Sequence, residues 1–95
     1  MMLRFEWDED KNKKNRVKHG IWFEEAQSVF DDGGSRVFID PDDAGAESRY
    51  LIIGFNSSAR LLVVVHCYRD NESVIRIISA RKATKKEAKF YAQGV

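Results

Sequence analysis

The chain has little cysteine, little proline and no long apolar run, and these scarcities exclude several classes of protein. The single thiol, Cys67, cannot form an internal disulfide, which excludes a disulfide-rich secreted fold and favours a reducing setting. The longest apolar run, Leu61–Val65, is far below the ~20 residues that span a bilayer. The N-terminus has no signal-peptide core. We therefore expect a cytoplasmic protein without a membrane partner.

Motifs for metal and cofactor chemistry are also missing. Two histidines and one cysteine lack the ligand spacing of a zinc site. The chain has no glycine-rich phosphate loop, no G-x-S-x-G nucleophile elbow and no paired-carboxylate signature. We therefore expect neither a metal nor a cofactor.

The composition that is present fits one folded domain covering residues 1–95. Hydrophobic residues make up 43% and aromatic residues 12% of the chain, enough for a modest core. The net charge is only +1 although 33% of the residues are charged. Overall charge is therefore uninformative about nucleic acid, and local clusters of cations have to carry that argument.

Apolar periodicity and turn signals predict an α+β domain with the order β-α-α-β-β-β-β-α, its helices packed on a central antiparallel sheet. The strands are expected at 3–7, 36–40, 50–56, 61–69 and 72–81, and the helices at about 9–18, 23–31 and 85–92. Asp8 is a good cap for the first helix, and Gly20 can end it. Thr84 and Glu87 form a capping box for the last helix. A turn is expected at residues 40–43.

The last predicted hairpin should have one dry face and one face with a polar end. If its loop has two or four residues, the polar face carries His66 and Tyr68 together with Ser79 and Arg81. The other face should then meet the helices. A bulge would break this assignment, and Arg76 already falls on the dry face.

Three residues of this hairpin are candidates for chemistry on RNA. Arg81 and Lys82 could hold a phosphate between them, or they could be a solvated strand end or an ion pair with a carboxylate. His66 could be a general acid or base, or a buried, hydrogen-bonded histidine.

The first helix carries a second candidate surface. Lys11, Lys14 and Lys18 fall on one face of it by the i, i+3, i+7 rule. They could track an RNA backbone, or they could be a solvated helix face. His19 fits the second interpretation, as a cation at the C-terminal end of the helix dipole.

Three segments of the chain resemble the BrnT toxin family, in the family's order. They read FEWD…K…N…KHG from residue 5, FEEA…VF from residue 23 and RIISARKAT from residue 76. Trp22 departs from the small polar residue that often precedes the second segment. It cannot cap the second helix and would instead be an exposed aromatic at a partner interface.

The resemblance implies a RelE-like fold and a metal-independent endoribonuclease that inhibits translation, as the toxin of a type II toxin–antitoxin pair. It also implies a small BrnA-like ribbon-helix-helix antitoxin, commonly in a heterotetramer that represses its own operon by binding operator DNA through the antitoxin. The alternative is a non-catalytic module that binds RNA or antitoxin within a repressor complex.

The residues themselves suggest how such an enzyme would divide its roles. The expected catalytic residues are His66, Arg81 and Lys82. The expected substrate-binding residues are Arg76, Tyr68, Ser79, Lys11, Lys14 and Lys18.

Overall fold

A computed structural model of the chain describes residues 3–41 and 48–94, which form a five-stranded sheet and three α-helices. The elements are β1 Arg4–Glu6, α1 Glu9–His19, α2 Phe23–Gln27, a 3₁₀ segment Ser28–Asp31, β2 Arg36–Ile39, β3 Tyr50–Phe55, β4 Leu61–Arg69, β5 Val74–Lys82 and α3 Lys85–Gln93. The predicted α+β class and element order are confirmed. None of the described helices is long and apolar enough to cross a membrane.

The strands lie in the order β1-β5-β4-β3-β2. Strands β3 to β5 form the predicted antiparallel meander, and β2 pairs with β3 in the antiparallel direction. The edge strand β1 runs parallel to β5, with Phe5 opposite Ile75, so the sheet is mixed at this edge. The turn expected at residues 40–43 lies partly outside the described residues.

The predicted helix ends are confirmed by their hydrogen bonds. The Asp8 carboxylate accepts from the backbone N–H groups of Asp10 and Lys11 at 2.8 and 3.2 Å. Gly20 has a φ of +74°, the left-handed conformation that ends many helices. Thr84 and Glu87 exchange the two bonds of a capping box.

Helix α2 begins without a side-chain cap from the residue that precedes it. Trp22 is 40% exposed, as expected for an aromatic that cannot cap. Two other side chains compensate: Glu25 accepts from the backbone N–H of Trp22 at 2.9 Å, and Asn12 of α1 accepts from that of Phe23 at 2.7 Å. The start of α2 is therefore stabilised by a neighbouring helix.

The core lies between one sheet face and the α2–3₁₀ segment. The predicted buried stripe of the second helix is Phe23, Ala26, Val29 and Phe30. The first three are fully buried, and Phe30 is partly buried against the same core. They pack against the following sheet residues: Ile52, Leu62, Val64, Ile75, Ile77 and Ala80. This apolar layer is what holds β3, β4 and β5 against the helices.

Helix α1 is attached by asparagines instead of apolar side chains. Its one clearly apolar residue, Val17, is 88% exposed, whereas Asn12 and Asn15 are buried. The amide nitrogen of Asn15 donates to the carbonyls of Ile21 and Ala80, both at 2.9 Å, and its oxygen accepts from the Ala80 N–H at 3.1 Å. Asn15 thus occupies the edge of β5 beyond the short strand β1.

Candidate functional site

A bulge in β5 determines where the candidate side chains point. The β4–β5 ladder pairs His66 with Ile77 but Val65 with Ser79, which leaves Ile78 as an extra residue. Side chains alternate between the two faces of a strand, so one extra residue reverses the alternation beyond it. The reversal affects the residues after Ile78.

The expected sharing of one face by four polar residues is wrong. His66 and Tyr68 lie on the face that α2 and the 3₁₀ segment cover, which we call the histidine face. Beyond the bulge, Ser79 and Arg81 pair with odd-numbered residues of β4 and lie on the opposite face. The face that was expected to be wet is covered by α2 and the 3₁₀ segment. The face that was expected to be dry keeps buried residues such as Val63 and Cys67, and α3 contacts it through Tyr91 and Glu87.

His66 has the environment of a structural histidine. Its side chain is 0% exposed, and its ring contacts Phe30 edge-on at 4.9 Å between centroids. Its Nδ1 lies 3.2 Å from the Val64 carbonyl and its Nε2 lies 3.3 Å from the Tyr68 hydroxyl. A carbonyl can only accept, so Nδ1 carries the proton and Nε2 accepts from Tyr68. Burial lowers the pKa of His66 and keeps the ring neutral.

Arg81 and Lys82 do not form a clamp. Both belong to β5, so their side chains leave the strand on opposite faces. Arg81 donates two hydrogen bonds to Glu87, at 2.7 and 2.9 Å. These bonds lower the pKa of Glu87 to about 2 and raise that of Arg81. The expectation that the two cations hold one phosphate between them is therefore wrong, and Arg81 forms the ion pair that was the alternative.

The opposite sheet face carries three of the predicted polar residues. Arg76, Ser79 and Arg81 all lie on it, and we call it the arginine face. Arg76 donates to the Glu6 carboxylate at 2.8 Å. Both arginines are thus already paired with a carboxylate, whereas Ser79 borders open space.

A groove runs between α1 and the bulged edge of β5, beside the arginine face. It encloses a cavity of about 180 Å³ lined by Lys11, Lys14, Asn15, Lys18, His19, Ile78 and Ser79. We call it the α1–β5 groove. Its three lysines are exposed, and none forms an ion pair within residues 3–41 and 48–94. The structure thus brings four predicted substrate-binding residues together at one place.

The remaining predicted residues fall elsewhere. Arg76 and Arg81 lie on the same side of the sheet as Ser79, near the groove but paired with glutamates. Tyr68 is on the histidine face, where burial raises its pKa. Lys82 is exposed at the end of β5, opposite Leu62.

Two polar residues of the groove, His19 and Asn15, and the apolar Ile78 are not among the predicted site residues. His19 was interpreted as a cation at the end of the helix dipole, although it directly follows Lys18 in the last turn of α1. Asn12 and Asn15 are the only amide side chains of α1, a helix without an apolar stripe, and they lie at i and i+3. Such a pair on one face was the available signal that α1 packs through amides.

A second cavity has the wrong charge for RNA. It measures about 290 Å³ and is lined by Ser28, Asp31, Asp32, Phe55, Asn56 and Ser57. Asp32 accepts from the Tyr91 hydroxyl at 2.6 Å, a bond that lowers the pKa of Asp32 and raises that of Tyr91. Two carboxylates at this cavity repel phosphate. Among the described residues, no group of three His, Cys, Asp or Glu side chains is arranged to hold a metal ion.

Comparison with known proteins gives one family match and one structural match of note. The family described as the ribonuclease toxin BrnT of a type II toxin–antitoxin system matches residues 7–87. The crystal structure of the Brucella abortus ribonuclease toxin BrnT matches with a TM-score of 0.66 and 23% sequence identity, covering 88% of this chain and 100% of that chain. No curated protein sequence matches at a significant level. The structural match shows a shared fold.

Proposed function

This chain belongs to the BrnT family of ribonuclease toxins of type II toxin–antitoxin systems, and we propose that it binds and cleaves RNA at the α1–β5 groove. As a toxin of this kind it acts on RNA and has an antitoxin as its partner. The proposal is carried by one observation, which is that Lys11, Lys14 and Lys18 line a single cavity together with Ser79.

The pairing of the nearby cations favours this groove over the arginine face as the RNA site. The nearby guanidinium groups of Arg76 and Arg81 are neutralised by Glu6 and Glu87. The three groove lysines have no such partner among the described residues. Unpaired ammonium groups release counterions from RNA when they bind phosphates, and this release is the main source of affinity.

The groove suits cleavage without a metal. RNA can be cut by its own 2′-hydroxyl, provided that cations stabilise the charge that develops on the phosphorus oxygens. The lysines can supply that charge stabilisation, and the Ser79 hydroxyl can donate a hydrogen bond to a phosphate oxygen. Cleaved messenger RNA cannot be translated, so we propose that the toxin inhibits translation in the cytoplasm.

We propose a BrnA-like ribbon-helix-helix antitoxin as the partner, in a heterotetramer that binds operator DNA through the antitoxin. The surface beside the groove would suit such a protein. Trp22 is 40% and Val17 is 88% exposed, and Arg16 lies 5.7 Å from the Trp22 ring centre. An antitoxin segment with acidic and apolar residues would cover both features. Co-purification with the product of the adjacent reading frame tests the pairing.

The groove is tested by two single substitutions in α1, one of a lysine that lines the groove and one of a lysine outside it. Lys14→Gln removes a charge from the groove, and the matched control Lys13→Gln removes the same charge one residue away, outside the cavity lining. Binding to a 2′-O-methyl RNA, which cannot be cleaved, is measured by fluorescence anisotropy at several salt concentrations. We expect Lys14→Gln to reduce the slope of log affinity against log salt by about 0.7, the value for one phosphate contact on a single strand.

The control separates a defined site from diffuse attraction. Lys13→Gln should keep the wild-type slope to within about 0.2. If both variants weaken binding equally, the RNA is held by the overall charge of α1 and the groove is not the site. If neither variant changes binding, the proposed RNA site is wrong.

A further inference from the structure

Cleavage by a 2′-hydroxyl needs a group that accepts its proton. A 2′-O–P bond forms while the P–O5′ bond breaks, so one proton leaves the 2′-oxygen and one reaches the 5′-oxygen. Lysine ammonium groups can donate a proton but cannot accept one. Imidazole is the side chain best suited to accept a proton near neutral pH. The two histidines of the chain are therefore the first candidates.

The two histidines differ in burial and in the hydrogen bonds of their rings. His66 is fully buried on the histidine face, and both of its ring nitrogens are engaged, by Val64 and Tyr68. His19 is half-buried and lines the α1–β5 groove with the lysines and Ser79. Within the described part of the chain, no side chain or carbonyl forms a hydrogen bond with the His19 ring.

The Asn15 side chain forms hydrogen bonds that position the backbone around His19. Asn15, one helical turn earlier, donates to the carbonyl of Ile21, two residues after His19. The same side chain forms two hydrogen bonds with the backbone of Ala80, next to Ser79. Asn15 therefore links the backbone next to His19 to the backbone next to Ser79, which positions both segments at the groove. Such preorganisation is what a catalytic group requires.

We infer that His19 is the general base of this ribonuclease, an inference that rests on the groove as the RNA site. The His19 imidazole accepts the 2′-hydroxyl proton as the 2′-oxygen attacks phosphorus. A groove lysine ammonium donates a proton to the departing 5′-oxygen. The products are a 2′,3′-cyclic phosphate and a 5′-hydroxyl end, and exchange with water returns both side chains to their starting states.

The first test separates cleavage from binding. His19→Asn and the matched variant His66→Asn are compared in single-turnover cleavage of total RNA, normalised to the folded fraction. We expect His19→Asn to lower the cleavage rate about 100-fold or more, as for loss of a general base. Its affinity for 2′-O-methyl RNA should change by less than about threefold. His66→Asn should cleave at the wild-type rate per folded molecule, and the His19→Asn result decides the question even if His66→Asn does not fold.

A second substrate distinguishes the base from the acid. An oligonucleotide with sulfur in place of the bridging 5′-oxygen has a leaving group that needs no proton. If His19 is the base, the defect of His19→Asn persists on this substrate. If the defect disappears, His19 donates the proton and the inferred role is wrong.

Failure of this inference is distinguishable from failure of the RNA site. Wild-type cleavage by His19→Asn, or an equal loss of cleavage and binding, overturns the role of His19. The groove still stands in either case if Lys14→Gln weakens RNA binding and Lys13→Gln does not. If Lys14→Gln and His19→Asn both behave as wild type, the groove itself is wrong.

Discussion

The histidine face and the α1–β5 groove use the same residue types for opposite purposes. On the histidine face, His66 is buried, neutral and hydrogen-bonded at both nitrogens. In the groove, His19 and three lysines face solvent, and within the described residues they have no hydrogen-bonded or ionic side-chain partner. A polar group that is satisfied inside the protein contributes to stability. A polar group left unsatisfied at the surface remains available to a ligand.

The contrast also separates two kinds of cation. Arg81 and Arg76 bind carboxylates on neighbouring elements, and Arg81 thereby joins β5 to α3. The lysines of α1 form no ion pair with any other residue that the structure describes. The ion pairs thus distinguish the arginines that stabilise the fold from the lysines that we propose to bind RNA.

The largest loss of stability is expected on substitution of Asn15, which lies between the histidine face and the α1–β5 groove. Asn15→Ala leaves the Ala80 N–H and the carbonyls of Ala80 and Ile21 without partners. We expect the free energy of unfolding in urea to fall by about 3 kcal/mol. Lys13→Ala, on the exposed side of the same helix, should change it by less than about 0.5 kcal/mol. A loss below about 1 kcal/mol for Asn15→Ala would show that α1 is not attached by this amide.

A smaller effect, with a characteristic pH dependence, is expected at His66. His66→Asn removes a buried ring that packs on Phe30, and we expect a loss of about 2 kcal/mol at pH 7.5. Wild-type stability should also fall as the pH drops below 6.5. The unfolded chain then takes up a proton that the folded chain resists, because burial lowers the pKa of His66.

The control for this pH dependence uses the other histidine. His19→Asn should keep the acid-induced loss of stability, because His66 is still present, and His66→Asn should lose it. Chemical unfolding at pH 7.5, 6.5 and 5.5 measures both. An unchanged pH dependence in His66→Asn would assign the effect to another group.

The smallest effect is expected at the ion pair of the arginine face. Glu87→Gln keeps the capping geometry of α3 but removes the charge that Arg81 binds. We expect a loss of about 1 kcal/mol at pH 6, since the pair is partly exposed and screened by solvent. The folded pKa of Glu87 is lowered from 4.5 to about 2, so the pair's contribution is present above pH 4.5 and is lost toward pH 2.

The pH profile itself is the check on this pair. The difference in stability between wild type and Glu87→Gln, measured by urea unfolding, should be constant above pH 5 and shrink as the pH falls toward 3. Lys86→Gln, at the neighbouring exposed position, should track the wild type throughout. A difference that stays constant down to pH 3 would mean that the Glu87 charge does not contribute.

Most of the fold was predictable because its signals are local. The caps at Asp8 and Thr84, the end of α1 at Gly20 and the apolar stripe of α2 are each encoded within a few residues. Membership of the BrnT family was predicted from three short segments, and the family match over residues 7–87 confirms it. The arrangement of the candidate residues was predicted only in part. The lysines and Ser79 lie together, whereas the expected common face of His66 and Arg81 does not exist.

The sequence by itself determined the elements, their order and the family, since periodicity, caps and motifs depend on neighbours along the chain. Only the tertiary structure decided which polar residues meet. One extra residue at Ile78 reverses the faces beyond it, and Asn15 brings α1 to the edge of β5 through amide hydrogen bonds. Neither is visible in a hydrophobic pattern, because a bulge is defined by the partner strand and a buried amide by the backbone that it satisfies.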